Sequence, residues 1–154
     1  MYKRILVPLD GSELAECVLP HVESIAKGCG VEEVVFLRVT EPFRQLCDYG
    51  GCLSQETIDS MDADNKAAAE KYLSQLTGRT RYDEVSVKPE VIAGKPGESI
   101  ANYAAENSID LIAIATHGRS GISRWAWGSV ADQVLRSACV AVLMVRAPGC
   151  EPGI

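Results

Sequence analysis

The chain has little positive charge and no long apolar run. Lysine and arginine together number 15, against 21 aspartate and glutamate residues, so the net charge is −6 at neutral pH. Proteins that wrap nucleic acid or bind anionic lipid usually present an excess of basic residues. No segment approaches the ~18 consecutive apolar residues of a membrane-spanning helix. We therefore expect neither a nucleic-acid partner nor a membrane partner.

The six cysteines follow no metal-binding pattern. None belongs to a Cys-x-x-Cys pair, and no histidine stands at the spacing of a zinc site. Cys47 and Cys52 lie in one glycine-bearing segment, which leaves open a redox pair or two idle thiols. The N-terminus runs directly into strand-like sequence, without the apolar core and cleavage site of a signal peptide. These features lead us to expect a cytoplasmic protein.

What the sequence does contain is an alternation of short apolar runs and helical segments. This order is typical of a parallel sheet covered by helices on both faces, with right-handed crossovers. The sequence therefore predicts an α/β sandwich with a five-stranded parallel sheet. The proline in the third strand favours a place near the edge of that sheet. The predicted strands are Arg4–Leu9, Val34–Val39, Val85–Ile92, Leu111–Ala115 and Val140–Val145.

About four helices are predicted between these strands. Ser12 is expected to cap the first, Pro20 to kink it, and Gly28 and Gly30 to end it. No internal repeat or linker divides the chain, so we expect a single domain over residues 1–147 and a flexible tail over 148–154. The other helices are expected at Thr57–Leu76, after Pro96, and from Val130 to about Ser137.

A glycine-bearing loop follows the fourth predicted strand. Thr116 to Gly121 come directly after an apolar run, and Gly128-Ser129 precede the next helical pattern. Glycines allow backbone N–H groups to approach an anion, and a helix start adds unpaired donors. Neither the GxGxxG fingerprint nor the P-loop pattern occurs. A phosphate-binding loop and a loop whose glycines serve only the turn are both open.

Three short motifs resemble the universal stress protein family. They are Val7-Pro8-Leu9-Asp10-Gly11-Ser12, Gly94 with Pro96, and Thr116-His117-Gly118, which nine intervening residues separate from Gly128-Ser129-Val130. The similarity extends over essentially the whole chain. It implies a UspA-like domain, a Rossmann-like three-layer sandwich of the adenine nucleotide alpha hydrolase-like type. It also implies an ATP-binding stress-response module with little or no hydrolysis, and a homodimer formed through Val140 to Val145.

The resemblance further implies the residues of a nucleotide site. ATP-binding members carry Gly, two residues, Gly, nine residues, then Gly and Ser or Thr; here Gly118 and Gly128 match, and Ala115 takes the first position. Asp10 would face the ribose hydroxyls or a Mg²⁺ bound with ATP, and the backbone of Val39 would meet the adenine. The implied site residues are Pro8, Leu9, Asp10, Val39, Ala115, His117, Gly118, Arg119, Gly121, Gly128, Ser129 and Val130.

Other interpretations stay open beside this one. Because Ala115 adds a methyl group where the family pattern has glycine, a second hypothesis is a homodimeric interaction protein that does not bind ATP. Asp10 before Gly-Ser is also a good turn and cap residue. His117 has no Ser-His-Asp or metal-ligand spacing around it and fits a local loop role as well. A third hypothesis is a slow ATPase or self-phosphorylating enzyme that uses Asp10, His117 or Ser129.

Overall fold

Five parallel strands form the centre of the molecule. The computed structural model describes residues 1–43, 54–116 and 129–147. The predicted α/β fold is confirmed, with four α-helices in the described ranges and a short 3-10 helix at Ala15–Val18. The strands are β1 (Arg4–Pro8), β2 (Glu33–Thr40), β3 (Ser86–Ala93), β4 (Leu111–Thr116) and β5 (Ala141–Arg146), and the helices are α1 (Leu19–Cys29), α2 (Gln55–Arg79), α3 (Pro96–Glu106) and α4 (Ser129–Ser137).

The strand order is β3-β2-β1-β4-β5, so β1 lies in the middle. The chain first builds outward from β1 through β2 to β3, and then returns to the other side of β1 for β4 and β5. This reversal leaves a crevice beyond the carboxyl ends of β1 and β4, where ligands of open parallel sheets bind. Strand β3 is an edge strand, as its proline predicts.

Alternating side chains of each strand enter two separate cores. Ile5 and Val7 of β1 pack with residues of α1 and α2, which defines the α1/α2 face of the sheet. Leu6 packs on the opposite side with Ile100 of α3 and Val134 of α4, which defines the α3/α4 face. A strand with both faces covered reads as a continuous apolar run, which explains the pattern from residue 5 to residue 9.

The predicted kink at Pro20 is wrong. The chain enters the first helical region as a 3-10 helix, and α1 begins at Leu19 with the proline in its first turn. A first-turn proline removes no intrahelical hydrogen bond and has a suitable φ, so it starts a helix without distorting it. The predicted cap by Ser12 is wrong, because Leu14 and Val18 are the N-cap residues of the 3-10 helix and of α1; Ser12 Oγ instead accepts the Ala15 N–H at 3.2 Å in the preceding turn. Gly28 lies inside α1, and Gly30 ends it with a left-handed φ of 65°.

An ion network closes the amino end of the sheet, remote from the crevice. Glu33, which is 9% exposed, accepts from Lys88 and from Arg4. The Lys88 ammonium and then the Arg4 guanidinium hold the pKa of Glu33 below its ordinary value, against the opposing effect of burial. These ion pairs therefore join β1, β2 and β3 at the end of the sheet opposite the crevice.

Within the described ranges, no helix has both the length and the apolar character that a membrane span requires. Cys47, Cys52 and the tail lie outside the described residues.

Candidate functional site

A cavity of about 430 Å³ opens at the carboxyl end of the sheet on the α3/α4 face. Its walls come from the segments that follow β2 and β3 and from the first turns of α3 and α4. Its position matches the general rule for ligand sites in parallel α/β sheets. The lining residues are Glu41, Lys95, Pro96, Gly97, Ser129, Val130 and Gln133.

Two helices begin at this cavity. Pro96 takes the first turn of α3, where its fixed φ favours the helix, and α4 begins at Ser129. The first N–H groups of each helix have no partner within the helix, and the aligned peptide dipoles add a partial positive charge. The turn before α3 depends on Gly94, whose φ is 154° and where a Cβ would lie 2.4 Å from Ser99 Oγ. The cavity is therefore a place where negative charge is favoured.

Close packing of α3 on α4 brings the two helix starts together. A Cβ on Gly97 would lie 2.4 Å from Oε1, 2.6 Å from Cδ and 2.8 Å from Cβ of Gln133. Because real Cβ atoms do not approach other atoms so closely, only glycine fits at this position. The glycine thus sets the distance between the two helices, and with it the width of the cavity.

The side chains of the cavity wall add one charge of each sign. Lys95 precedes α3 and Glu41 follows β2, and both are exposed. The lysine ammonium and the two helix starts outweigh the single carboxylate. Val130, together with the stem of the lysine, contributes apolar surface. This combination fits a ligand with an apolar ring and an anionic group.

Several predicted site residues lie on the cavity side of the sheet. Ser129 and Val130 line the cavity directly. Val39 packs with the α3/α4 core, and Pro8 pairs in register with Leu37, which belongs to the same core. Leu9 is different, because its side chain packs into the α1/α2 core.

Asp10 lies in the turn that follows β1. Its Oδ1 accepts from the Ser12 N–H at 2.9 Å and from the Ser12 hydroxyl at 2.6 Å. This is the turn role that aspartate commonly takes before a helix. The residue is exposed at the carboxyl end of the central strand, beside the crevice. A turn role is therefore observed, and its carboxylate lies at the correct edge of the sheet.

Ala115 directs its methyl group away from the cavity. Its register partner on β5 is Val145, which belongs to the α1/α2 core, whereas the preceding Ile114 belongs to the α3/α4 core. The side chain is 8% exposed. The extra methyl group, relative to glycine, is therefore buried on the other face of the sheet.

Five predicted residues lie outside the described residues: His117, Gly118, Arg119, Gly121 and Gly128. In contrast, the cavity adds residues that the sequence analysis did not name. Lys95 and Gly97 carried a visible signal, because a Gly-Lys-Pro-Gly turn followed a predicted strand. Glu41 and Gln133 carried none, since an exposed glutamate and a helix glutamine are ordinary surface residues.

The described residues contain no group of three or more His, Cys, Asp or Glu side chains that could hold a metal. A magnesium ion bound with a nucleotide needs less, because phosphate oxygens and water complete its octahedron beside one or two carboxylates. The single carboxylate of Asp10 fits that mode of binding. It does not fit a metal site made of protein ligands alone.

Comparison with known proteins gives one consistent answer. The chain is 30% identical to Universal stress protein MJ0531 of Methanocaldococcus jannaschii over 98% of its own length and 86% of that protein. The solved structure of MJ0577 superposes with a TM-score of 0.80 at 28% identity, covering 97% of this chain and 99% of that one.

Two more distant solved structures share the fold and were obtained with adenine nucleotides. A universal stress protein in complex with cAMP gives a TM-score of 0.61 at 19% identity, over 95% of this chain and 98% of that one. A family protein from Arabidopsis thaliana with AMP bound gives 0.61 at 14% identity, over 96% and 93%. The model of the Universal stress protein family matches residues 1–146. The chain therefore belongs to the universal stress protein family.

Proposed function

We propose that this protein is a stress-response or signalling module that binds an adenine nucleotide, ATP with Mg²⁺, and hydrolyses it slowly or not at all. The observation that carries the proposal is the cavity bounded by the starts of α3 and α4 and by Lys95. Its volume of about 430 Å³ lies in the ordinary range of small-molecule sites. The AMP and cAMP complexes of proteins with the same fold support an adenine nucleotide as the ligand.

The proposed binding mode divides the nucleotide between the apolar and the polar parts of the site. The adenine would lie near Pro8 and Val39, which are on the α3/α4 face. The phosphates would meet the first N–H groups of α4 at Ser129 and the ammonium of Lys95, because both favour negative charge. Asp10 would contact the ribose or the metal ion.

Slow or absent hydrolysis is proposed because the described residues of the cavity wall include no group arranged to activate water. Its only carboxylate among the described lining residues is Glu41, which is exposed to solvent. An effective general base needs a pKa close to working pH and a fixed position near the attacking water. A surface glutamate surrounded by water has no such fixed position.

We also propose a homodimer that pairs through β5. This strand is at the sheet edge opposite β3, and Val142, Leu143 and Met144 are only partly buried. An apolar edge strand favours pairing with another chain unless it is covered. Two copies joined there would form a continuous sheet with the two cavities on separate protomers.

We predict that replacing Lys95 with methionine weakens ATP binding at least ~10-fold, because a phosphate loses a charge-assisted partner of about 1.4 kcal/mol or more. Isothermal titration calorimetry with and without Mg²⁺ measures the change. Lys71→Met is the matched control, since Lys71 is an exposed lysine on α2, and it should leave the dissociation constant unchanged within ~2-fold.

The same preparation tests the proposal as a whole. Native mass spectrometry of freshly purified protein should give a dimer mass with an adenine nucleotide bound. A protein that is purified empty and also fails to bind added ATP, ADP or AMP would refute the nucleotide-binding function. A monomer mass would refute the pairing through β5.

We predict that Ala115→Gly changes the affinity for ATP by less than ~3-fold, since the methyl group lies on the α1/α2 face, away from the cavity. Calorimetric titration of the variant beside the wild type measures this. The alternative function is a homodimeric interaction protein in which this alanine abolishes ATP binding. Binding that appears only in the glycine variant would favour that alternative.

A further inference from the structure

Arg38 carries buried hydrogen-bond donors that no described residue satisfies. It lies near the carboxyl end of β2, and its register partner Val91 packs against the α1/α2 core. Its side chain therefore projects from the face opposite the cavity. Its Nε and Nη1 atoms are buried, and neither has a hydrogen-bond partner among the described residues.

This arrangement is energetically unfavourable for the protein alone. Guanidinium groups are charged at all ordinary pH values and present five N–H donors, so a buried one is normally paired. Burying a charged donor without an acceptor costs free energy, whereas an apolar side chain of similar length would pack at no such cost. Two buried guanidinium nitrogens without an acceptor, at a ligand-binding edge of a sheet, therefore point to an acceptor that comes from outside the chain.

The guanidinium lies against the turn between β1 and the 3-10 helix. A Cβ on Gly11 would lie 3.3 Å from Arg38 Nη1, and the φ of Gly11 is 84°, so the turn passes close over the guanidinium. The turn is located at the carboxyl end of the central strand. Arg38 as a whole is partly exposed, whereas these two donors are buried at the edge of the sheet.

Two carboxylates of the segment that follows β1 have partners of their own. Glu16, in the 3-10 helix that follows the turn, accepts from Tyr72 Oη at 3.0 Å and from Arg79. Asp10 Oδ1, within the turn, accepts twice from Ser12. These pairs among the described residues thus leave Arg38 Nε and Nη1 without an acceptor.

We propose that Arg38 binds a phosphate group at the β1 turn, on the α1/α2 face of the sheet. The planar fork of Nε and Nη nitrogens matches two oxygens of one phosphate, which gives a short, bidentate, charge-assisted contact. The phosphate comes either from the nucleotide of the proposed function, reaching across the edge of the sheet, or from free phosphate. The inference does not require the cavity to hold ATP.

The test compares thermal unfolding of the full chain with and without inorganic phosphate, at constant ionic strength. In phosphate-free buffer, Arg38→Met should raise the melting temperature by roughly 2–4 °C, because two buried donors without acceptors are removed. Added inorganic phosphate should raise the melting temperature of the wild type and leave that of R38M unchanged. Arg81→Met is the matched control, since Arg81 is an exposed arginine between α2 and β3, and it should respond to phosphate as the wild type does.

Titrations of ATP and adenosine distinguish the two sources of the phosphate. If it belongs to the nucleotide, R38M binds ATP at least ~10-fold more weakly and adenosine equally well. If it is free phosphate, R38M binds ATP as the wild type does but loses the response to inorganic phosphate. Arg38→Lys keeps the positive charge but loses the planar guanidinium, so it should show only part of the wild-type response to inorganic phosphate or to ATP. If R38M does not fold, Arg38→Lys takes its place in these comparisons.

The inference is overturned if R38M and the wild type respond equally to inorganic phosphate and to ATP, or if the wild type responds to neither. ATP binding that R38M leaves intact, with no effect of inorganic phosphate, would overturn it and retain the proposed function. A phosphate response that requires Arg38, in a protein that binds no nucleotide, would support the inference and refute the proposed function.

Discussion

Leu6→Ala is expected to lower the free energy of unfolding by about 3–5 kcal/mol. Leu6 is fully buried in the central strand, and it packs with Ile112 of β4, Ile100 of α3 and Val134 of α4. Truncation removes apolar contacts and leaves a void that neighbours on the paired strands cannot fill, because the sheet hydrogen bonds hold them in place. Equilibrium unfolding in urea measures the change.

Leu135→Ala is the matched control, since Leu135 on α4 is 47% exposed. The same chemical change at a half-exposed position should cost about 0.5 kcal/mol or less. Similar losses for the two variants would contradict the core described for the α3/α4 face. Because this core supports the helices whose first turns line the cavity, Leu6→Ala should weaken ligand binding as well.

Gly97→Ala is expected to destabilise the protein by about 1–3 kcal/mol and to weaken ATP binding at least ~10-fold. The new methyl group would overlap Oε1, Cδ and Cβ of Gln133, so α3 and α4 must separate or shift. Both helix starts line the cavity, and their displacement moves the N–H groups proposed to meet the phosphates. Urea unfolding and calorimetric titration measure the two effects.

Gly78→Ala serves as the control for this substitution. Gly78 lies in the last turns of α2, and a Cβ there would meet nothing within 4 Å. Because alanine is the better helix former, the variant should gain about 0.5–1 kcal/mol and bind ATP as the wild type does. If Gly97→Ala is equally harmless, the close approach of α3 to α4 is not what sets the cavity. Adding Gln133→Ala to Gly97→Ala should restore part of the lost stability, since two of the three overlapping atoms are removed.

Local rules predicted the elements of the fold well. The first strand, predicted from the apolar run that ends at Leu9, and the edge position of β3, predicted from its proline, both follow from local sequence, and both are confirmed. The prediction of a kink at Pro20 was wrong, and the reason is also local. A proline distorts an α-helix when α-helical turns precede it, and here only the 3-10 helix precedes α1, whose first turn holds the proline.

The candidate site was only partly predictable. Ser129 and Val130 were expected from the helix start that follows the glycine-bearing loop, and they line the cavity. Gln133 enters the wall only because Gly97 brings α3 against α4, which no local pattern records. Arg38 reads in the sequence as an ordinary polar residue in a strand, and only the fold buries its donors beside Gly11.

The sequence by itself determined the fold class, the strand-to-helix order and the family, because periodicity, caps and short motifs act over a few residues. The tertiary structure decided which face each side chain occupies. The methyl group of Ala115 points to α1 and α2 because the crossovers place α3 and α4 on the other side of β4. Lys95 and Ser129 share one cavity because the strand order brings the ends of β3 and β4 to the same edge. Such convergence of distant segments depends on long-range packing, which no single stretch of sequence encodes.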